Sequence, residues 1–183
     1  VAANNTSKLI GKGVKRPNVR RLIHGKGSFT DDISAFDALH VAFVRSPYGH
    51  ARIRSINTSS AEEAPGVTSV ITGLDIVKIC SPMISVAAHR PGHKSAPQHP
   101  LAFEKACYQG EPVAAVVAET RAEAEDALEL VVIDWEELPS VIDMNEALDP
   151  STPPIHPELG DNLCFQHSIN TGNSGDGFSR SEV

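Results

Sequence analysis

A chain of 183 residues, 40% hydrophobic and 21% charged, is long enough for one domain with its own core, at a size where about 70% of the unfolded surface becomes buried. Its net charge of −7 argues against a general nucleic-acid binder, which presents a strongly basic surface. Three cysteines, Cys80, Cys107 and Cys164, without a C-x-x-C pair, indicate neither a disulfide framework nor a zinc ribbon. A reducing cytoplasm is the expected compartment. No apolar run approaches the ~20 residues of a membrane span, and Val1 to Ser7 is polar rather than signal-like.

From Lys8 to Lys26 the cations Lys8, Lys12, Lys15, Arg16, Arg20, Arg21 and Lys26 are interrupted by Gly11, Gly13, Pro17 and Gly25, so residues 1–34 read as a basic, irregular N-terminal arm. Leu39, Val41 and Phe43 alternate with His40, Ala42 and Val44. Both faces are apolar, which predicts a buried strand, and Ser46-Pro47-Tyr48-Gly49 is the turn after it. Arg52 to Thr58 predicts a strand with one wet face. Ser59-Ser60-Ala61-Glu62 has the form of a capping box, in which the serine oxygen accepts from an orphan helix N–H and the glutamate reaches back. Pro65-Gly66 stops that helix after little more than a turn, and Val67 to Ile71 is a second β-branched strand. From Gly73 to Pro100 proline, glycine and histidine recur without a period, which predicts a long loop excursion with only short local structure.

Tyr108-Gln109-Gly110-Glu111-Pro112 then turns the chain into the apolar run Val113 to Val117. Thr120-Arg121-Ala122-Glu123 predicts another capping box. Ala124, Ala127, Leu128 and Val131 fall at i, i+3, i+4 and i+7, with Glu123, Glu125, Asp126 and Glu129 opposite, as in an amphipathic helix. Val131 to Trp135 is again a strand, stopped by Pro139. The short connections predict a right-handed βαβ crossover. Ile53 to Ile71 and Val113 to Trp135 share one plan, so the expected fold class is α+β: two strand–helix–strand units with the excursion between them, over residues 35–148. Residues 149–183 read as a turn-rich connector, with Asp149-Pro150, Pro153-Pro154 and His156-Pro157, and the tail after Asn170 has no core of its own.

Few residues invite a chemical reading. A catalytic Glu111 would need a partner and a pocket that tunes its pKa, and the sequence shows neither. The plainer expectation is a corner: Gly110 supplies an unusual backbone angle, Pro112 fixes φ before the strand, and the acid faces water or a neighbouring N–H. His89, His93 and His99 are close enough in sequence for a zinc site, but Pro91-Gly92 forbids the helix that would put such ligands on one face. Gly11-Lys12-Gly13 and Gly25-Lys26-Gly27-Ser28 lack the spacing of a phosphate loop. Asp31-Asp32 and Asp134, Glu136 and Glu137 read as solvated acids, with Asp134 and Glu136 on one side of a strand. No nucleophile elbow appears. From the residues alone this is an α+β domain without a self-contained active site.

Four segments taken together, "IGKGVKRPNVRRLIHGKGSFTDDI", "LHVAFVRSPYGHARIRSINTSSAEEAPGVTSVITGLD", "YQGEPVAAVVAETRAEAEDALELVVIDWEELPSVIDMNEAL" and "IHPELGDNLCFQ", resemble the N-terminal part of the molybdenum hydroxylase large subunit. That family includes xanthine dehydrogenase, aldehyde oxidase and carbon monoxide dehydrogenase, and the matching region is its α/β hammerhead domain. The stretch Val44-Arg45-Ser46-Pro47-Tyr48-Gly49-His50-Ala51-Arg52-Ile53 and the GEPVA stretch from Gly110 carry most of its specificity. The resemblance implies a complete enzyme that hydroxylates a carbon centre with water-derived oxygen, or oxidises CO, at a molybdenum-pterin site. Electrons would pass through two [2Fe-2S] clusters to FAD, on an iron-sulfur small subunit and an FAD-binding medium subunit. The short arm is most similar to the bacterial carbon-monoxide-dehydrogenase-like branch, in which the pterin is a cytosine dinucleotide. The family's pterin loops, the glutamine near molybdenum and the late glutamate base are expected beyond Phe178 to Val183, in the remainder of the large subunit. The resemblance therefore places no catalytic, cofactor-binding or metal residue on this chain, and implies a scaffold that packs on the cofactor domains and the iron-sulfur component. The alternatives are a free-standing hammerhead-like binding or adaptor module, and a zinc-binding module built on His89 to His99.

Overall fold

The computed structural model describes residues 11–169, 172 and 174–181, so Val1 to Ser7, Lys8 and the closing Glu182-Val183 lie outside the described residues. The chain divides into two units, Val1–Ala38 and Leu39–Val183. In the first, the basic run contains a helix that its glycines and proline concealed, α1 (Val19–Ile23). Gly25, at φ 68°, closes it: the Gly25 N–H donates to Leu22 O at 3.1 Å and the Lys26 N–H to Arg21 O at 3.0 Å, the paired bonds of a Schellman motif. Asp31-Asp32 lies in a 3₁₀ turn (Thr30–Asp32), where the Asp32 carboxylate accepts from the Phe29 N–H at 2.8 Å.

The second unit holds β1 (His40–Arg45), β2 (Ala51–Asn57), α2 (Ser59–Glu62), β3 (Val67–Thr72), α3 (Gly73–Ile76), β4 (Lys105–Ala106), β5 (Pro112–Ala118), α4 (Arg121–Leu128), β6 (Val132–Glu137) and the short helices α5 (Met144–Ala147) and α6 (Ser174–Ser179). The strands form two three-stranded sheets, β1-β5-β3 and β4-β2-β6. Every pairing is antiparallel. The strand–helix–strand units are present, but the expected crossover between parallel strands is not. Each unit passes from one sheet to the other: β2 and β6 pair in one, β3 and β5 in the other. The reason is edge occupancy. Both sides of β5 are taken, by β1 and β3, so β6 finds no place beside it. Between β2 and β3, residues 58–66 are also too few for a parallel crossover of about a dozen residues or more. The first strand of each unit thus pairs with the last of the other, the arrangement a twofold relation between them would produce.

The core follows β5. Val113, Ala114, Val116 and Ala118 are completely buried, and Ala124 and Ala127 of α4, which packs on this sheet, are 1% exposed. Small side chains on both elements let the helix approach the sheet closely, and the gain is apolar burial at about 25 cal/mol per Å². Thr120 caps α4 as its sequence requires, accepting from the Glu123 N–H at 3.2 Å while Glu123 Oε2 accepts from the Thr120 N–H at 3.0 Å. The box expected at Ser59 does not form: Thr58 is the N-cap without a side-chain cap hydrogen bond, its hydroxyl instead donates to Glu62 Oε1 at 2.7 Å, and Asn57 Oδ1 accepts from the Ser59 N–H at 3.1 Å. β1 is less buried than its composition predicts, with Val41 53% and Phe43 43% exposed. It is an edge strand, so its outer side has no neighbouring row of side chains.

The excursion runs from α3 to β4 with one isolated bridge, Met83 to Gln98. Its two ends meet at Gly73, where a Cβ would stand 2.3 Å from the Ala102 carbonyl oxygen. Its far part is tied to the connector: the Lys94 N–H donates to Cys164 O at 2.7 Å, and Lys94 Nζ reaches Asp161 Oδ1 at 2.6 Å.

Candidate functional site

The two stretches on which the resemblance rests most heavily touch each other. β1 ends against the start of β5, with Arg45 opposite Pro112 after a register shift at Val44/Arg45. The Arg45 guanidinium lies over the Phe43 ring at 5.7 Å and donates to Gly110 O at 2.9 Å. The Gly110 N–H donates to Ser46 O at 2.8 Å, and the Ser46 N–H returns a bond to Glu111 O at 2.9 Å. Gly110 sits at φ 86°, a left-handed conformation that glycine adopts without penalty. Ser46 is 2% exposed, and its hydroxyl accepts from the Tyr48 N–H at 3.1 Å, which tightens the Ser46-Pro47-Tyr48-Gly49 turn. His50, 8% exposed, contacts Pro139 O through Nδ1 at 2.8 Å. Because a carbonyl only accepts, Nδ1 carries a hydrogen, and Nε2 is buried without a hydrogen-bond partner among the described residues.

Glu111 faces inward from this junction. Its carboxylate accepts from the Cys107 N–H at 2.5 Å, so the acid closes its own turn. Burial raises its pKa; the N–H groups of Cys107 and Tyr108, with His156 and Lys105 nearby, pull the other way without cancelling it. A cavity of about 250 Å³ opens beside it, lined by Lys105, Cys107, Tyr108, His99, His156 and Glu158 among others. Lys105 Nζ donates to the Ile155 carbonyl. His156 Nδ1 stands 3.2 Å from Glu158 Oε1, and hydrogen bonding from its own backbone N–H, then His156, holds Glu158 below its usual range. Burial pushes the Cys107 thiol up to about 11, which leaves it protonated and unreactive at neutral pH. His99 packs edge-on against Phe103 with ring centroids 4.9 Å apart.

Sequence reasoning placed Glu111 at a turn but not its surroundings. Lys105, His156 and Glu158 come from β4 and from the connector far along the chain, and no local signal joins them to the Gly110-Glu111-Pro112 turn. The half-buried acid has the raised proton affinity that acid–base catalysis uses. Its oxygen is nevertheless engaged with backbone, and the thiol beside it is neutral.

The remaining candidates are dispersed. His89 Nδ1 contacts Val86 O, His93 Nε2 contacts Ser85 Oγ while its ring packs on Phe165, and His99 lies against Phe103. Among the described residues no group of three or more His, Cys, Asp or Glu is arranged to hold a metal ion. Glu136 is held at the surface by Arg52 at 3.3 Å and Arg54 at 3.5 Å, while Asp134 and Glu137 are exposed. No helix among the described residues is long and apolar enough to cross a membrane.

Residues 24–139 match the family described as aldehyde oxidase and xanthine dehydrogenase, a/b hammerhead domain. The chain is 38% identical over 177 residues to the nicotine 6-hydroxylase large subunit of Paenarthrobacter nicotinovorans, an alignment that takes in 97% of this chain and 21% of that protein. It is 38% identical over 168 residues to the carbon monoxide dehydrogenase large chain of Afipia carboxidovorans, covering 91% of this chain and 20% of that one. Among solved structures, quinoline 2-oxidoreductase from Pseudomonas putida 86 superposes with a TM-score of 0.74 at 36% identity, over 84% of this chain and 19% of that chain. Aldehyde oxidoreductase from Desulfovibrio gigas gives 0.75 at 29% identity, over 92% and 19%. The chain spans about a fifth of the length of these relatives. With its two antiparallel sheets, short helices and interlocked motif stretches, it belongs to the aldehyde oxidase and xanthine dehydrogenase hammerhead family, the domain found in molybdenum hydroxylase large subunits.

Proposed function

We propose that the chain is the non-catalytic N-terminal domain of a molybdenum hydroxylase large subunit. It acts as a scaffold for the molybdenum-pterin domains and for the iron-sulfur and FAD subunits. The observation that carries the reading is the use made of Glu111: the acid best placed for chemistry closes the turn that joins the two motif stretches. The cysteines present do not fit one of the cofactors the family uses, an iron-sulfur cluster. A [2Fe-2S] cluster takes four thiolates, and the sequence has three cysteines, all free. No His, Cys, Asp or Glu group among the described residues is arranged around a metal position. On this reading the chemistry, hydroxylation of a carbon centre with water or oxidation of CO, belongs to other parts of the complex, with a cytosine-dinucleotide pterin as the proposed form. Two exposed free thiols, Cys80 and Cys164, are consistent with assembly in a reducing cytoplasm.

The test is native mass together with the visible spectrum of what co-purifies with the chain from its source. The expected result is association with larger chains carrying iron-sulfur and flavin absorption, while the isolated 183-residue chain is colourless and inactive. A chain recovered alone as a stable monomer supports the adaptor reading instead and overturns this one, as does turnover by the isolated chain.

A further inference from the structure

Charge is distributed very unevenly along the sequence. Residues 1–29 carry seven of the sixteen Lys and Arg and none of the 23 Asp and Glu, so from residue 30 onward nine cations face all 23 acids. Within the described part of that basic segment, Lys12, Lys15, Arg16, Arg20, Arg21 and Lys26 are all exposed and none forms an ion pair with a described residue of its own unit. Apolar side chains are interleaved with them. Val14 is 65% exposed, Ile23 76%, Phe29 66%, Ile33 69% and Phe36 95%, and no residue between 11 and 38 is buried. On α1, Val19, Leu22 and Ile23 fall at i, i+3 and i+4 with Arg20 and Arg21 beside them. A helix of five residues is far below the ~12–15 at which an isolated helix becomes even marginal in water. The segment thus has shape, charge and apolar surface but no core to stabilise them.

We infer that residues 12–36 form a docking arm for an acidic, partly apolar protein face on another subunit of the complex. The inference rests on the proposed function, which supplies the other subunit. A polyanion such as nucleic acid or an anionic membrane is the poorer fit, for two reasons. The rest of the chain carries a large excess of acids and would be repelled from it, and the exposed Ile23, Phe29, Ile33 and Phe36 need an apolar counterpart. A protein face with Asp and Glu around an apolar patch answers both, with a hydrophobic centre and a charged rim. The relatives support the existence of such neighbours: one is a large subunit, another a complex subunit gamma.

The test uses the complete large subunit co-expressed with its partner subunits, comparing wild type with Arg16→Glu/Arg20→Glu/Arg21→Glu. At about 0.15 M salt the reversed variant is expected to release the partner with Kd raised about tenfold or more. Wild-type affinity should fall as salt rises, and the variant should lose most of that dependence. The melting temperature of the large subunit without its partners should match wild type, because the arm contributes no buried residue to this domain; a lowered one would mean that the arm packs on the rest of its own subunit and would overturn the inference. An Arg→Gln triple variant, read the same way, covers the case in which the reversed one does not accumulate. Equal complex formation by wild type and both variants overturns the arm and leaves the proposed function standing. Recovery of wild type without any other subunit overturns the proposed function itself. A loss confined to self-association, to duplex DNA or to anionic vesicles assigns the arm elsewhere and overturns the inference.

Discussion

In the sheet β1-β5-β3 the central strand is hydrogen-bonded on both sides and almost wholly removed from water, and α4 lies on it through two alanines. Between Gly73 and Pro100 the chain instead leaves Ile79 78%, Met83 66%, Ile84 60% and Val86 93% exposed. That excursion is held by separate polar ties: Lys94 to Cys164 O and Asp161, and the Met83–Gln98 bridge. Burial of apolar area is cooperative, whereas exposed ion pairs contribute about 0–1 kcal/mol each. The sheet is therefore expected to set global stability, and the excursion to open locally at much lower cost.

The sharpest way to break this contrast is to place a charge at its strong end. Val116→Asp puts a carboxylate at a fully buried position in β5, where it is cut off from water. An unpaired buried charge costs several kcal/mol, about the whole stability of a domain this size. Loss of the cooperative thermal transition by circular dichroism is the expected result; a cooperative melt near wild type would show that β5 is not the core. Gly73→Ala is next. Its new Cβ would meet the Ala102 carbonyl oxygen at 2.3 Å, and backbone cannot swing aside as a side-chain tip does. Overpacking of this kind costs about 1–3 kcal/mol. Because Gly73 joins the two ends of the excursion to the sheet, hydrogen exchange should rise across both the excursion and β3 in this variant. A change confined to the excursion would mean that the two regions are less coupled than the contact implies.

What the sequence made legible follows the range of the interactions. The α4 capping box and the buried run of β5 are local patterns, and they appear where Thr120-Glu123 and Val113-Val117 place them. Which strands pair is a non-local matter. Nothing within residues 113–135 discloses that β1 and β3 have already filled both edges of β5, so the parallel crossover was the natural expectation and failed. The same limit hid the exposure of β1, whose apolar alternation reads alike on an edge or in a centre. At the candidate site, Gly110 was legible as the residue with an unusual backbone angle. The cavity was not, because Lys105, His156 and Glu158 reach Glu111 only through β4 and the connector.

The smallest expected effect lies where the two regions meet. Glu111 belongs to the turn that launches β5, yet its carboxylate points toward a cavity shared with the far end of the excursion and the connector. Burial raises its folded pKa above the ordinary value of 4.5 despite the Cys107 N–H. A carboxyl of raised pKa binds its proton more tightly folded than unfolded. Its favourable contribution is thus complete below the unfolded value and is lost as pH rises through the folded one. In Glu111→Gln that titration is gone, while the amide oxygen can still accept from Cys107. Urea denaturation between pH 4 and pH 7 should therefore show wild type losing stability relative to the variant as pH rises. The opposite slope would mean that the Cys107 bond, not burial, governs the acid. In a complete enzyme the same substitution should leave turnover and cofactor content intact. Loss of turnover with assembly preserved would make Glu111 a chemical group after all.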